Sequence, residues 1–425
     1  MAARRMKGEG GVTQRADGRW QGTLDLGWGI AKDGKTAVRK RSTVYGRTQR
    51  EAVVKLAAER KKVAEHGIVG GATTLEKYLP VWLADVATQR NTPKTLTSYR
   101  SVVKIHLIPR LGKTRLDRLT PTQIRSMARD IEKTRSSSTA LKVHAVLSKA
   151  LTDAVRTRIL AVNPAEMVDR PKVAVSNHGS LTAPDAARFL LSVEHEHNVA
   201  RWAIAFFLGM RQGECLGLTE EMVHLGDGTD ADPGTLTIAW QLQRLPYAHG
   251  CSEGEPTCGR RYGGDCPERT VILRDDFEAR PVAGGLYLVR PKSRLGWRTV
   301  PLVEPLRTIL LAHVATPNPA GLLFTTAEIR SGSRITTEAG QPVDPRRDSD
   351  AWHAYLNAAD LPDVRLHSAR HTAVTLLSAA KVGDLTIMSI VGHAKATTTH
   401  GYVDSAGELQ RDALGRLSAA LQIGA

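Results

Sequence analysis

Residues 366–404 read LHSARHTAVTLLSAAKVGDLTIMSIVGHAKATTTHGYVD. The first part predicts a helix, because small and apolar residues recur at helical spacing and would anchor one face in a core. That face carries Ala369, Ala373, Leu376, Leu377 and Ala380. His367 and Arg370 lie three positions apart at the start of the helix, so both side chains project from one side of it.

The second part of this stretch predicts a shorter helix followed by two more reactive side chains. The expected inner face of this helix carries Leu385, Met388 and Val391. Gly392 can end it, His393 follows at once, and Tyr402 comes later. Two histidines, an arginine and a tyrosine on one helical frame suit chemistry on a phosphodiester. Such chemistry needs a cation, proton carriers and a hydroxyl nucleophile.

The composition of the 425-residue chain indicates a polyanionic partner. It has 59 Lys and Arg against 43 Asp and Glu, a net charge of +16, which favours nucleic acid over a merely basic, solvated surface. Four cysteines in so long a chain do not make a disulfide framework, so a reducing cytoplasm is expected. The sequence shows neither a secretory signal nor a long apolar run, so no membrane partner is expected.

Residues 1–70 predict a small separate β-β-β-α domain. Turn signals at Asp17-Gly18 and Asp33-Gly34 separate three strand candidates, and Thr48 with Glu51 forms a capping box before a helix. This segment has 16 Lys and Arg against 7 Asp and Glu, a net charge of +9. A basic β-ribbon can enter a DNA groove. The alternative is a basic extension that packs on the main body.

Residues 72–171 follow a glycine-rich linker and predict an all-helical domain. Four amphipathic helices are expected, and Asn163-Pro164 stops the last of them. Basic residues recur on the expected outer faces, namely Lys94, Arg100, Lys104, Lys113, Arg115, Lys142, Lys149 and Arg156. Such a bundle can hold a duplex by its phosphates. The alternative is an ordinary solvated bundle.

Residues 178–425 predict a larger, mainly helical domain with inserted strands. Residues 199–208 are apolar almost all round, which predicts a buried helix. This helix would deliver Arg211, and Glu214 can orient it. Strands are predicted at 236–242, 286–289 and 298–302. The last two are expected to form a hairpin whose loop carries Lys292.

The insertion at 243–285 contains four potential metal ligands. They are His249, Cys251, Cys258 and Cys266, spaced H-x-C-x6-C-x7-C. One imidazole and three thiolates suit a tetrahedral structural zinc ion, although the spacing is looser than in paired cysteine motifs. The insertion has almost no apolar residues of its own. Two alternatives are therefore open, a structural zinc site or free thiols in a mobile loop.

These motifs together resemble the active site of the tyrosine recombinases, the phage-integrase family. The matching strings are GMRQGE at 209–214, PKS at 291–293 followed by RTVPL at 298–302, LHSARHT at 366–372, and VGH at 391–393 continuing to Tyr402. Their order and spacing agree across the C-terminal half of the chain. The sequence departs from the family pattern at Val391, where Leu is more common, and in the long insertion before Lys292.

The resemblance implies a site-specific DNA recombinase of an actinobacterial-type phage or integrative element. The fold it implies has an N-terminal arm-site DNA-binding domain, a helical SAM-like core-binding domain and a mainly α (α+β) catalytic domain. The implied partners are double-stranded attachment-site DNA and three further copies of the chain in a homotetramer. A directionality factor and a host DNA-bending protein are further candidates. The implied location is the bacterial host cytoplasm, with the nucleoid.

The resemblance also assigns a role to each candidate residue. Arg211 and Arg370 would neutralise the phosphate oxygens, and Tyr402 would attack to form a 3′-phosphotyrosine. Lys292 would protonate the leaving 5′-oxygen, although Arg294 and Arg298 lie near it in sequence.

Three histidines are interpreted differently. His367 would accept the tyrosine proton or orient the phosphate, and His393 would donate a hydrogen bond to it. His371, like Glu214, is expected in the core or behind the reacting groups. No catalytic metal or other cofactor is expected.

Two other functions stay open from the sequence alone: a type IB topoisomerase, which shares this chemistry, and a DNA-binding regulator without catalysis. The C-terminal segment 406–425 predicts an amphipathic helix that must dock on a protein surface. The resemblance favours docking on a neighbouring protomer, and the sequence does not decide this.

Overall fold

The computed structural model describes residues 11–30, 37–66, 73–173, 179–229, 231–252, 256–291, 296–313, 315–331, 334–392 and 406–421. The chain divides into two compact units, 1–175 and 176–425. Within the described ranges, no helix is both long and apolar enough to cross a membrane.

The first unit begins with the predicted β-β-β-α arrangement. Strands β1 (Gly11–Gln14), β2 (Trp20–Ile30) and β3 (Ala37–Gly46) form an antiparallel sheet in that order, and helix α1 (Gln49–His66) follows. Leu24 of the sheet and Leu56 of the helix are buried between them. The β1–β2 turn at Gly18 has a positive φ of 77°, as the Asp-Gly signal predicts. The second predicted turn, Asp33-Gly34, lies outside the described residues.

The rest of the first unit is helical, as predicted. Its helices are α2 (Leu75–Trp82), α3 (Thr88–Arg90), α4 (Pro93–Val102), α5 (Ile108–Leu111), α6 (Pro121–Thr134) and α7 (Ser137–Arg156). Single π-helical turns at Leu83–Ala87 and Val103–Leu107 join α2 to α3 and α4 to α5. Trp82 is buried, stacks on Tyr99 at 5.9 Å and donates a hydrogen bond to Asp153 at 2.9 Å. This polar anchor fixes one aromatic pair in an otherwise apolar core.

The outer faces of these helices carry most of the predicted basic residues. The exposed ones are Lys94, Arg100, Lys104, Lys113, Lys142 and Arg156. Two predictions of exposure are wrong. Lys149 is half-buried and donates to Asn91 and Tyr99, and Arg115 is half-buried in a two-bond pair with Asp117.

The second unit is mainly helical. Its helices are α8 (Ala183–Ser192), α9 (Val199–Phe207), α10 (Gln212–Leu216), α11 (Leu306–Ala312), α12 (Pro345–Ala358), α13 (His367–Ala379), α14 (Asp384–Val391) and α15 (Ala406–Leu421). The core contains an aromatic cluster in which Phe189 lies 5.5 Å from Phe206 and 4.6 Å from Trp352. Helix α9 is buried all round, as its apolar sequence predicts.

Small sheets flank this helical core. The first contains β4 (Val223–His224), β5 (Thr235–Ile238) and β9 (Arg298–Pro301), and the second contains β6 (Gln241–Arg244), β8 (Leu286–Val289) and β7 (Ala279–Ala283). A separate hairpin pairs β10 (Ile329–Ser331) with β11 (Arg334–Thr337).

The predicted hairpin of residues 286–289 and 298–302 is wrong. In the described residues β8 pairs with β6 and β7, whereas β9 pairs with β5. The predicted single strand at 236–242 is in fact two strands, broken at Ala239 and the buried Trp240. Its two halves take β9 and β8 as antiparallel partners. Strands β8 and β9 are therefore successive partners of one interrupted strand and do not pair with each other.

Helix α14 buries one of its three predicted residues, Val391, but otherwise a different set from the predicted one. Ile387, Ile390 and Val391 are buried, whereas Leu385 is 64% exposed and Met388 is half-buried. Both faces have helical spacing, so the neighbours that surround the helix decide between them.

Helix α15 packs on its own unit. Leu414 and Leu417 are buried against α13, α14 and β9, and Gln410 donates a hydrogen bond to Ser389 at 3.0 Å. Docking on a neighbouring protomer, which the resemblance favours, stays a prediction.

Candidate active site

Arg211 stands at the exit of the buried helix α9, as predicted. The chain turns at Gly209, whose φ is +55°, and Arg211 then caps the N-terminus of α10. A Cβ at Gly209 would lie 2.9 Å from Val391 Cγ1, so glycine is needed there for space as well as for backbone conformation. The turn thus brings Arg211 against the end of helix α14.

Glu214 orients two arginines at once. Its buried carboxylate accepts hydrogen bonds from Arg211 Nη1 at 2.6 Å and from Arg298 Nη2 at 3.1 Å. Burial raises the pKa of Glu214, but the charges of Arg298 and Arg211 outweigh this effect, so the pKa lies below its ordinary value. The carboxylate is therefore ionised, and it supports the predicted orienting role.

Arg298 also belongs to this cluster. The sequence indicates it only as a basic residue near Lys292, the candidate acid. Its side chain is buried, and Nε donates to the Ile390 carbonyl at 2.7 Å. Burial lowers its pKa, which the neighbouring Glu214 partly opposes. One signal in the sequence could have indicated this burial. Arg298 begins a predicted strand, and side chains along a strand alternate between the exposed and the buried face.

Arg370 lies in the first turn of α13 and is only 2% exposed. Its Nη1 donates to the carbonyls of Gly209 at 2.7 Å and Val391 at 2.5 Å. Its Nη2 is buried without a hydrogen-bond partner among the described residues. Burial, together with the charges of Arg211 and Arg298, lowers the pKa of Arg370 to about 9. One donor of this cation is therefore left for an incoming acceptor.

Three successive carbonyls at the end of α14 receive the three arginines. Arg298 donates to Ile390, Arg370 to Val391 and Arg211 to Gly392, the last at 3.0 Å. Gly392 ends the helix with a left-handed φ of 72°, as predicted. The last carbonyls of a helix lack helical partners and carry the negative end of its dipole. This carbonyl fan (390–392) compensates positive charge without placing a second carboxylate in the site.

His367 begins helix α13, one turn before Arg370, as predicted. It is exposed, and its ring packs edge-on against the ring of His371 at 5.0 Å. His371 is also exposed, so of the two positions expected for it the core is wrong, whereas a place behind the reacting groups stays a prediction. Its position on the solvent side of α13 follows from the helical period, since Arg370 and Ala373 occupy the buried side.

Comparisons with known proteins show the family of this chain. The family model of the phage integrase N-terminal SAM-like domain matches residues 74–129. An integrase of Saccharopolyspora erythraea is 30% identical, over 95% of this chain and 94% of its own length. The chain belongs to the tyrosine recombinase family. Its function is site-specific recombination, and neither comparison favours the topoisomerase alternative.

More distant similarities are consistent with this assignment. A tyrosine recombinase XerC-like protein of Caldanaerobacter subterraneus is 22% identical to the recombinase over 84% of this chain and 86% of its own. The solved Tn1549 transposon integrase is 17% identical and covers 77% of this chain and 96% of its own, with a TM-score of 0.56. The structural similarity shows a shared fold.

Three predicted site residues of the recombinase lie outside the described residues: Lys292, His393 and Tyr402. The described chain nevertheless reaches their immediate neighbours. Pro291 precedes Lys292, and Gly392, the last member of the carbonyl fan, precedes His393. The structure therefore brings together Arg211, Arg370 and the start of the segment that leads to Tyr402.

A stacked arginine, Arg290, lies directly before residues 291–296, which are called the Lys292 segment below. The Arg290 guanidinium lies 3.7 Å from the centre of the Trp240 ring and 4.2 Å from that of Trp297. Its Nε donates to Glu278 at 2.8 Å. Arg290 and Trp297 lie on either side of the segment, so this contact joins its two ends.

The four potential metal ligands of the insertion also come together. The ligand atoms of His249, Cys251, Cys258 and Cys266 all lie within 4.8 Å of one another. Cys266 is fully buried, and the other three are partly buried. This cluster is separate from the arginine site and has no part in the chemistry proposed below.

Proposed function

We propose that the arginine cluster binds the scissile phosphate of a DNA duplex. The observation that carries this proposal is the buried Arg370 Nη2, which has no hydrogen-bond partner among the described residues, beside a partly exposed Arg211. A guanidinium fork can donate to two phosphate oxygens and stays charged. Charge builds on these oxygens as the pentacoordinate state forms, so fixed cations stabilise that state more than the starting diester.

Tyr402 supplies the nucleophile in this proposal. Its phenol oxygen bonds to phosphorus as the bond from phosphorus to the 5′-oxygen breaks, which leaves a 3′-phosphotyrosine and a free 5′-hydroxyl. His367 accepts the phenol proton or orients the phosphate, and His393 donates a hydrogen bond to the phosphate. The ester keeps the energy of the broken bond, so the 5′-hydroxyl of a second strand can displace the tyrosine without ATP. The arginines supply the positive charge that a metal ion would bring elsewhere.

Lys292 is the proposed acid for the leaving 5′-oxygen. The described contacts favour it over Arg298, because the Arg298 side chain is buried on Glu214 and the Ile390 carbonyl. An ammonium on a flexible stem can also release a proton more readily than a guanidinium. Arg290, stacked between two tryptophans, would set where the Lys292 segment starts.

The three proposed domains divide the work on DNA. Residues 1–70 bind arm sites through their net charge of +9, residues 72–171 hold the core site through exposed lysines and arginines, and residues 178–425 carry the chemistry. The Tn1549 integrase structure is described as a complex with transposon right end DNA, which supports a duplex DNA partner.

Assembly and location complete the proposal. Exchange between two duplexes needs four active sites, so we expect a homotetramer on DNA in the host cytoplasm, associated with the nucleoid. A directionality factor or a host DNA-bending protein would then set the choice between integration and excision.

A suicide substrate tests the nucleophile. A nicked duplex, or one with a 5′-bridging phosphorothiolate, lets cleavage proceed but blocks rejoining. The wild-type protein should accumulate a covalent protein–DNA adduct on a denaturing gel, and Tyr402→Phe should form none. Tyr45→Phe, in the first unit, is the matched control and should behave like wild type. An adduct formed by Tyr402→Phe would reject the assignment.

A further inference from the structure

We infer that His249, Cys251, Cys258 and Cys266 bind one structural zinc ion that holds the insertion 243–285 folded. Their ligand atoms all lie within 4.8 Å of one another, and Cys258 Sγ is 3.4 Å from His249 Nδ1. One imidazole nitrogen and three sulfurs are a common donor set for tetrahedral structural zinc. The donors come from both halves of the insertion, so a shared ion would tie those halves together.

The insertion needs such a tie because it has almost no hydrophobic core. Among the described residues between Leu245 and Leu286, Cys266 is the only apolar side chain that is buried. Tyr262 and Ile272 are 57% and 60% exposed. Segments too small to bury a core depend on metals or cross-links for a fixed fold. The one buried apolar residue is thus itself a proposed ligand.

The backbone around the ligands is closely packed. Ala248 and Thr270 form an antiparallel bridge with N–H···O distances of 2.7 and 3.1 Å. A Cβ at Gly250, between the first two ligands, would lie 2.1 Å from the Glu268 carbonyl oxygen. The chain therefore crosses itself next to the cluster, which places the first two ligands beside Cys266. This is the arrangement expected of a closed structural site rather than of a mobile loop.

The insertion also supports the Lys292 segment, and this step rests on the proposed function. Glu278, in the insertion, accepts the hydrogen bond of Arg290, the residue stacked between Trp240 and Trp297. Loss of zinc should therefore loosen the support of Arg290 and slow strand cleavage, while the arginine cluster stays intact.

Metal content is the first test. The untagged full-length protein, purified with a reductant, should contain one zinc per chain by mass spectrometry. Cys251→Ser and Cys258→Ser should lose it, and Cys215→Ala, a buried cysteine outside the cluster, should keep it. Exchange into cobalt should give the visible spectrum of a tetrahedral thiolate site. Wild-type protein with no more zinc than Cys258→Ser would overturn the inference.

A second test uses the wild-type protein alone, so it does not depend on whether a variant folds. Arg260 and Arg261 are exposed within the insertion and offer trypsin sites. Cleavage there should be slow in the zinc-loaded protein, fast after chelation and slow again after zinc is restored. A rate that chelation leaves unchanged would also overturn the inference. Neither test uses DNA, so their results are independent of the adduct assay. A protein that binds zinc but forms no adduct rejects only the recombination mechanism. A protein that forms the adduct but binds no zinc rejects only the metal site.

Discussion

Arg201 and Arg370 are both buried in the second unit, and their charges are balanced in different ways. Arg201 donates two hydrogen bonds to Asp348, at 2.7 and 2.6 Å, and stacks on Trp202 at 3.8 Å. Arg370 has no carboxylate within ion-pair distance among the described residues and is held by the carbonyls of Gly209 and Val391. Each leaves one terminal nitrogen without a hydrogen bond in the described part of the chain. The charge of Arg201 is neutralised inside the fold, whereas that of Arg370 is not.

This difference separates a structural cation from a functional one. A buried charge without a counterion costs free energy, so a fold retains it only when something else uses it. The lowered pKa of Arg370 is the electrostatic sign of that cost. A phosphate would supply the missing negative charge. Disrupting the interactions of Arg201 should therefore lower stability, whereas replacing Arg370 should lower activity.

The largest expected effect is on stability, at the compensated arginine. Asp348→Asn leaves Arg201 buried without its counterion, which should lower the free energy of unfolding by about 3–5 kcal/mol. Unfolding in urea, followed by tryptophan fluorescence, measures this change. Asp350→Asn on the exposed side of the same helix is the control and should change it by less than about 0.5 kcal/mol. Equal effects from both variants would contradict the role of the pair.

The next effect is on chemistry, at Arg370, which has no carboxylate partner among the described residues. Arg370→Gln should slow formation of the covalent adduct on a suicide duplex by about 10²–10³-fold, because a fixed donor to the developing charge is lost. Its melting temperature should not fall as that of Asp348→Asn does. Thr375→Ala, on an exposed position of the same helix, controls for helix damage. The comparison would be reversed if Arg370→Gln lost stability but its folded fraction formed the adduct at the wild-type rate.

Glu214 is a carboxylate within the arginine cluster, but it accepts hydrogen bonds from Arg211 and Arg298 and not from Arg370. Its removal therefore separates the two kinds of effect. Glu214→Gln should cost about 1.5–3 kcal/mol of stability at neutral pH. The folded pKa lies below the ordinary value of 4.5, so the contribution of the carboxylate is fully present above that pH and is lost as the pH falls through the folded pKa.

Melting curves across pH check this sign. The gap in melting temperature between wild type and Glu214→Gln should be full at pH 7 and should narrow below pH 4.5. A gap that stays constant in acid would mean that the carboxylate is not held ionised by the arginines.

The smallest effect is expected at the carbonyl fan. Gly392→Ala forces a left-handed φ on a residue with a side chain, which costs about 1–2 kcal/mol. A shift of the helix end should also weaken adduct formation. Gly415→Ala, inside helix α15 with open space around it, should be neutral or slightly stabilising in the same melting assay. If both glycine variants behave alike, the conformation at Gly392 is not important.

The sequence predicts the local parts of this site well. Arg211, His367 and Arg370 were expected where they are found, because buried-helix composition and helical spacing determine their placement. Glu214 was expected to orient Arg211 for the same reason, as it lies three residues away at the start of a helix. The helix and strand content of each part of the chain followed from periodicity and turn signals.

The missed parts all depend on contacts between distant segments. Arg201 and Asp348 are 147 positions apart, and no local pattern joins them. The buried role of Arg298 requires the end of α14 to lie beside β9. The hairpin was mispredicted because neighbouring strands usually pair with each other, whereas here an upstream segment, bent at Trp240, takes both of them as partners.

The carbonyl fan also determines which kinds of change this site can absorb over evolution. Its acceptors belong to the main chain, so exchanging one apolar side chain for another at 390–391 leaves all three in place. Valine or leucine at position 391 would therefore leave the acceptors of the fan equally in place. An inserted or deleted residue would instead offer each arginine the wrong acceptor. The site should therefore tolerate drift in composition at the end of α14, but not in length.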